Sequence, residues 1–259
     1  MGLAHGADRR ASQRRRRETK AVTRALISVR SAAEAAVAVA HGADLIDAKE
    51  PAHGALGALP MDAIREIVAT VAGARPVSAT VGDLPPDPRL IVAAVQEIAA
   101  TGVDMVKIGL LPGPDRPACL PPLVPIARRQ PLIAVLFADR DPDLELIPRI
   151  AGAGFVGVML DTADKAGGAL TSQASLPFLS SFVAAARREG LLAGLAGSLR
   201  REDIATLHPL GASYLGFRGA VCKRNNRVDG LDPRCLDEIL LSLQRELIGI
   251  SLSGTRSVS

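Results

Sequence analysis

A (β/α)8 TIM barrel, an α/β fold in one domain, is the architecture this sequence predicts. Three observations carry the expectation. Short apolar runs alternate with helical patterns eight times, at a spacing of about 29 residues, which brings the total near the ~250 residues such barrels take. The chain has no Trp, one Tyr and five Phe among 48% hydrophobic residues, so its core is aliphatic, as suits helices packed on a parallel sheet buried on both faces. The eight units are evenly spaced, which favours a closed ring over the open doubly wound sheet that shares the same alternation.

The first strand is ALISV (25–29). SAAEAAVAVAHG follows as a helix, with Ser31 three residues before Glu34 in a capping-box arrangement and Gly42 at its left-handed end. The second run, DLIDAK (44–49), is apolar except for its aspartates and Lys49, and leads into a loop holding Pro51 and Gly54. MDAIREIVATVAG makes the second helix, ending at Gly73. PVSATVG (76–82) and DPRLIVAAVQEIAATG, ending at Gly102, form the third unit. DMVKIGL (104–110) is the fourth strand. Its helix is the poor one, because Pro121, Pro122 and Pro125 in LPPLVPIARRQ hold it to a short piece. PLIAVLF (131–137) precedes DLELIPRIAGAG. FVGVMLD (155–161) precedes SLPFLSSFVAAARREG, which ends at Gly190. LLAGLAGS (191–198) precedes REDIATLHPLG, and SYLGFRG (213–219) is followed by a last helix, DPRCLDEILLSLQREL.

Charge divides the chain. Residues 1–24 carry eight Lys or Arg against Asp8 and Glu18, so the net charge of +4 belongs to a tail and the remainder is slightly acidic. The expected organisation is a disordered basic N-terminal tail over 1–24, a barrel domain over 25–245 and a C-terminal tail over 246–259. A basic tail of this kind does not imply a specific nucleic-acid partner. RRASQRRRRETK lacks the apolar stretch of a secretory signal. No apolar run reaches the ~18 residues needed to span a bilayer, so no membrane partner is expected. Cys119, Cys222 and Cys235 show neither CxxC spacing nor a His pair, which fits a reduced cytoplasmic protein without a metal site. An alanine-rich outer helix suggests a homo-oligomer.

Lysine is scarce. Of 31 basic residues five are Lys, and beyond Lys20 in the tail they fall at or just past the ends of runs two, four, six and eight: Lys49, Lys107, Lys165 and Lys223. Barrel chemistry gathers where strands end. An arginine stays protonated, whereas a desolvated lysine beside another cation can lose its proton and attack a carbonyl. Alternate strands feed the same interior layer, so Lys49 and Lys107 are expected to face one another across the mouth. Asp47 shares the inward parity of Lys49, and Asp161 ends the sixth strand. Each is an ion-pair partner or a proton shuttle. Asp83 and His53 are weaker candidates with ordinary structural explanations, and Lys223 reads as a solvated charge or an anion contact. The loops after strands seven and eight, GLAGSLRRED and GFRGAVCKR, are rich in small residues that let backbone amides approach a phosphate. Gly194, Gly197, Ser198, Gly216 and Gly219 are the small residues concerned, the last four the firmer candidates, with Arg218 as the charge.

The combination DLIDAKEPAHGALGALP, PVSATVGDLP, VDMVKIGL, GVMLDTADKAG and YLGFRGAVC resembles the (5-formylfuran-3-yl)methyl phosphate synthase family of methanofuran biosynthesis, also called 4-(hydroxymethyl)-2-furancarboxaldehyde-phosphate synthase. The resemblance runs from about residue 25 to about 240, and the DAKxPxxGxLG element is its most specific part. It implies a barrel lyase that condenses two glyceraldehyde 3-phosphate molecules, losing phosphate and water, through a lysine Schiff base and without a cofactor. On this resemblance Lys49 forms the imine and Lys107 accepts the proton. Asp47, Asp161 and Lys165 match the remaining acid and amine positions. Two other classes remain open: a Schiff-base aldolase or isomerase on another sugar phosphate, and a non-catalytic barrel that binds phosphorylated ligands.

Overall fold

Eight parallel strands close in chain order into a barrel in the computed structural model, which describes residues 22–164 and 167–253. They are β1 (Arg24–Val29), β2 (Leu45–Ala48), β3 (Val77–Thr80), β4 (Met105–Gly109), β5 (Leu132–Phe137), β6 (Gly157–Asp161), β7 (Leu192–Leu195) and β8 (Tyr214–Phe217). β8 closes on β1, pairing Tyr214 with Arg24 and Phe217 with Ile27. The first strand thus begins inside the segment assigned to the basic tail. Residues 1–21 of that tail lie outside the described residues.

Side chains alternate along each strand. Those facing outward, such as Ile27, Ile46, Ala79, Val106, Ala134 and Val158, pack under the helices in one aliphatic core. Those facing inward include Leu26, Leu45, Met105, Ile133, Val135, Met159 and Tyr214, which plug the barrel. The register places the polar inward positions side by side near the open end: Ser28 pairs with Asp47, Asp47 with Ser78, Thr80 with Lys107, and Phe137 with Asp161.

The helices are α1 (Ala32–Ala40), α2 (Met61–Val71), α3 (Pro88–Ala99), α4 (Val124–Ala127), α5 (Leu146–Gly152), α6 (Leu170–Gln173), α7 (Leu176–Arg188), α8 (Asp203–Leu207) and α9 (Pro233–Ser253). Gly42, Gly73, Gly102 and Gly190 all have positive φ where a helix must reverse. Half of the capping box at α1 forms: Ser31 Oγ accepts the Glu34 N–H at 3.3 Å. The Glu34 carboxylate does not return to Ser31. It accepts the Arg30 N–H at 2.9 Å and binds Arg218. The prolines shorten α4 as expected, with a 3-10 turn over Pro121–Leu123 ahead of it. α9 continues to Ser253, past the boundary at 245. α6 was not anticipated, and it brings residues 168–172 to the mouth of the barrel. Among the described residues no helix is long and apolar enough to cross a membrane.

Candidate active site

Asp47 has little freedom. Its strand is buried along its length, and its neighbours on both sides present hydroxyls at the same level. Ser78 Oγ donates to Oδ1 at 2.7 Å and Ser28 Oγ to Oδ2 at 3.2 Å. Lys107 Nζ, from the middle of β4, lies 3.0 Å from Oδ2, and both side chains are 1% exposed. A buried ion pair of this kind is tolerable because hydrogen bonds fill the remaining lone pairs.

Lys49 follows β2, and its backbone N–H extends the ladder to Val29 O at 3.0 Å. Its Nζ donates to Ala55 O at 3.1 Å and stands 3.9 Å from Asp161 Oδ2 across the mouth. Asp161 Oδ1 accepts the Thr162 N–H at 2.7 Å. The loop that carries Ala55 is pinned from β3: Asp83 accepts the Ala55 and Leu56 amides at 2.8 and 3.1 Å, and Thr80 Oγ1 donates to Gly57 O at 3.0 Å. Asp83 therefore has a structural task, while His53 is exposed in a short turn over Pro51–His53.

Above these residues lies a cavity of about 620 Å3. Asp47, Lys49 and Asp161 form part of its wall, with Gly197, Ser198, Gly216, Arg218 and Gly219 from the β7 and β8 side. Lys107 is sealed underneath and meets the cavity through Asp47. Lys49 and Lys107 are thus each matched to a carboxylate. Lys223 is exposed on the surface, and Lys165 lies outside the described residues.

The phosphate-loop candidates divide in two. Gly197, Ser198 and Gly219 sit in the loops, and their amides, with that of Ala220, make no hydrogen bond to the described residues. Gly216 belongs to β8 and floors the cavity; a Cβ there would come within 3.0 Å of Ala196 Cβ. Arg218 is 8% exposed, and its guanidinium grips Glu34 and three backbone carbonyls.

Two residues escaped sequence reasoning. Arg227 reaches the cavity wall from the loop after β8, where Nη2 donates to Gly54 O at 2.8 Å. Burial lowers its pKa from the ordinary value, and the Asp161 carboxylate acts in the opposite direction. Nothing in the string RNNR separates it from a surface charge. Tyr214 fills the barrel beneath the site, in space that Gly194 leaves by lacking a Cβ. Its hydroxyl has no partner among the described residues. Burial first, and then the Asp47 carboxylate, raise its pKa.

The profile of the family described as 4-HFC-P synthase matches residues 25–240. A Methylorubrum extorquens protein, provisionally named (5-formylfuran-3-yl)methyl phosphate synthase, is 48% identical over 81% of this chain and 86% of its own length. The Methanopyrus kandleri protein named (5-formylfuran-3-yl)methyl phosphate synthase is 38% identical over 80% of this chain and 92% of its own. Among solved structures, phosphoribosyl anthranilate isomerase from Thermus thermophilus superposes with a TM-score of 0.61 at 15% identity, covering 86% of this chain and all of its own; that likeness concerns the fold alone.

Proposed function

Because the chain belongs to the 4-HFC-P synthase family, we propose that it is a (5-formylfuran-3-yl)methyl phosphate synthase. In this reading it is a lyase that joins two glyceraldehyde 3-phosphate molecules through a Schiff base on Lys49, in the biosynthesis of a methanofuran-type cofactor. The observation that carries the reading is the setting of Lys49: an amine on the wall of a closed barrel, with one carboxylate across the mouth and a second, Asp47, on its own strand.

The product's connectivity constrains the steps. An imine between Lys49 and C1 of the first triose makes C2 acidic. Removal of the C2 proton gives an enamine, and its electrons expel the phosphate from C3. The resulting enol is nucleophilic at C3. A 3-substituted furan forms only if this carbon joins C2 of the second triose, so that triose must present C2 as a carbonyl, which requires a proton shift from C2 to C1. Closure through its C1 hydroxyl, two dehydrations and imine hydrolysis then give the aromatic aldehyde. Atoms balance with one phosphate and two waters lost.

Proton traffic falls to the Asp47–Lys107 pair. Lys107 keeps the carboxylate charged and fixed, and Asp47 is the member at the wall. Asp161 faces the amine that forms the imine and is placed to manage its protons. Lys165, four positions past Asp161 in the sequence and outside the described residues, is proposed as the further amine.

Purified protein supplied with glyceraldehyde 3-phosphate alone should generate the absorbance of a conjugated furaldehyde. Borohydride added during turnover should fix triose carbon on the peptide containing Lys49, and Lys49→Arg should abolish both signals. Formation of only a reversible aldol product would favour an aldolase on another sugar phosphate. An undiminished adduct in Lys49→Arg would overturn the assignment of the imine.

A further inference from the structure

Two arginines follow β8, and their surroundings are opposite. Arg218 has five N–H groups and five acceptors. Nε donates to Arg227 O at 2.8 Å. Nη1 donates to Ser28 O at 3.1 Å and to Glu34 Oε2 at 2.5 Å. Nη2 donates to Glu34 Oε1 at 3.2 Å and to Asp229 O at 2.9 Å. None of its donors is open to a ligand. Arg227 is half-buried on the cavity wall and makes one hydrogen bond, Nη2 to Gly54 O. Its remaining N–H groups have no acceptor among the described residues. Arg218 holds the carbonyl of Arg227 itself and that of Asp229, two residues on, and so aims the Arg227 side chain.

The anchor of Arg227 is informative. Gly54 O receives Arg227 and the next carbonyl, Ala55 O, receives Lys49. Two consecutive carbonyls of one short loop therefore tie both cations to the same edge of the mouth. A triose bound as an imine at C1 carries its phosphate two carbons away, within reach of a second cation so placed. The amides of Gly197, Ser198, Gly219 and Ala220 lie on the β7 and β8 side and offer a separate cradle for the other phosphate. Arg200 also touches the wall, but it is exposed and sits beside Glu202, with its own amide tied to Asp203.

We propose that Arg227 is the cationic subsite that holds the phosphate leaving the imine-bound triose. The inference rests on the Schiff-base reading for which phosphate is held, but not for the existence of the anion subsite. In the step concerned, the C2 proton goes to the Asp47–Lys107 pair, and the electron pair flows from the enamine nitrogen through C1 and C2. The C3–O bond then breaks and its electrons remain on the phosphate oxygen. No oxidant or reductant is involved. The guanidinium opposes the charge that develops on that oxygen, an interaction stronger in the transition state than in the ground state.

The test pairs two readouts on the full chain. In borohydride-quenched turnover, wild type should show a Lys49 peptide whose adduct has lost its phosphate. Arg227→Gln should label Lys49 to within about threefold of wild type, but with an adduct that retains phosphate, and inorganic phosphate release should slow by about a hundredfold. Arg227→Lys should recover part of that rate. Titration with inorganic phosphate, without triose, should find two sites in wild type and one in Arg227→Gln. An unchanged adduct mass in Arg227→Gln, the loss of all labelling in that variant alone, or equal phosphate stoichiometry in both proteins would each overturn the proposal. Absence of a Lys49 adduct from wild type would instead overturn the Schiff-base reading, and the phosphate titration would still decide whether Arg227 is an anion subsite.

Discussion

The two sides of the barrel mouth are built on different principles. On the β2–β4 side every polar group answers another: Asp47 takes Ser28, Ser78 and Lys107, while Asp83 and Thr80 fasten the loop that carries Ala55. On the β7–β8 side the wall is largely main chain, and the amides of Gly197, Ser198, Gly219 and Ala220 are left without acceptors among the described residues. Buried polar groups are nearly always satisfied in folded proteins; Gly197 is buried and Gly219 and Ala220 are half-buried, while Ser198 is exposed. On the proposed function the open donors receive a ligand's oxygens and the closed pairs control proton positions. Arg218 and Arg227 repeat the contrast within one loop, the first fully engaged and the second open.

The sharpest way to break the closed side is Asp47→Asn. It leaves the Lys107 charge sealed without a carboxylate, an arrangement that costs about 3–5 kcal/mol of stability. Turnover should fall by about 10²–10⁴, the range for loss of a positioned base. Adding Lys107→Met should restore much of the stability and none of the turnover. Thermal unfolding and furaldehyde formation measured on wild type and the two variants decide it. A single variant as stable as wild type would mean that the pair is not a closed unit.

A smaller effect should follow from Arg218→Met, which separates a clamp from a ligand. Loss of the guanidinium leaves Glu34, a side chain 10% exposed, with only the more exposed Arg30 at 3.5 Å as a counter-charge. A cost of about 3 kcal/mol in denaturant unfolding is expected, with a rise in KM as the Arg227 loop loosens. Arg218→Lys should rescue little, because an ammonium cannot reproduce five fixed donors. A KM effect with unchanged stability would return Arg218 to the role of a direct phosphate contact.

Most of the fold, and half of the residues that gather at the candidate site, were legible in the sequence, for identifiable reasons. The strands announced themselves because apolar runs, glycine ends and helix caps agreed with one another at each unit. Asp47, Lys49, Lys107 and Asp161 stood out because a charged residue in a run buried on both faces needs an explanation. The arginines did not separate, because what distinguishes them is tertiary: Arg218 meets Glu34, 184 positions away, and Arg227 meets Gly54, 173 positions away. Glycines misled in a similar way. Gly194 and Gly216 read as parts of a phosphate loop, yet both lie in strands. Gly194 makes room for the Tyr214 ring, a packing requirement that no local pattern encodes.

The mildest test compares two glycines on the open side. Gly197 has φ +115, and a Cβ there would lie 2.8 Å from Thr162 Cγ2 and 3.0 Å from Thr162 N. Gly219 lacks the left-handed constraint, and its nearest contact would be Asn225 O at 3.3 Å. Gly197→Ala should therefore cost about 1–3 kcal/mol through backbone strain and crowding, and Gly219→Ala clearly less. Because Thr162 adjoins Asp161, the Gly197 substitution presses on the carboxylate facing Lys49 as well as on the proposed phosphate cradle. If the cradle is the part that matters, KM should rise severalfold while borohydride labelling of Lys49 at saturating triose stays near wild type. If labelling falls in step with turnover, the two sides of the mouth are mechanically coupled through residues 161–162, and the division between a closed and an open side holds for the resting protein only.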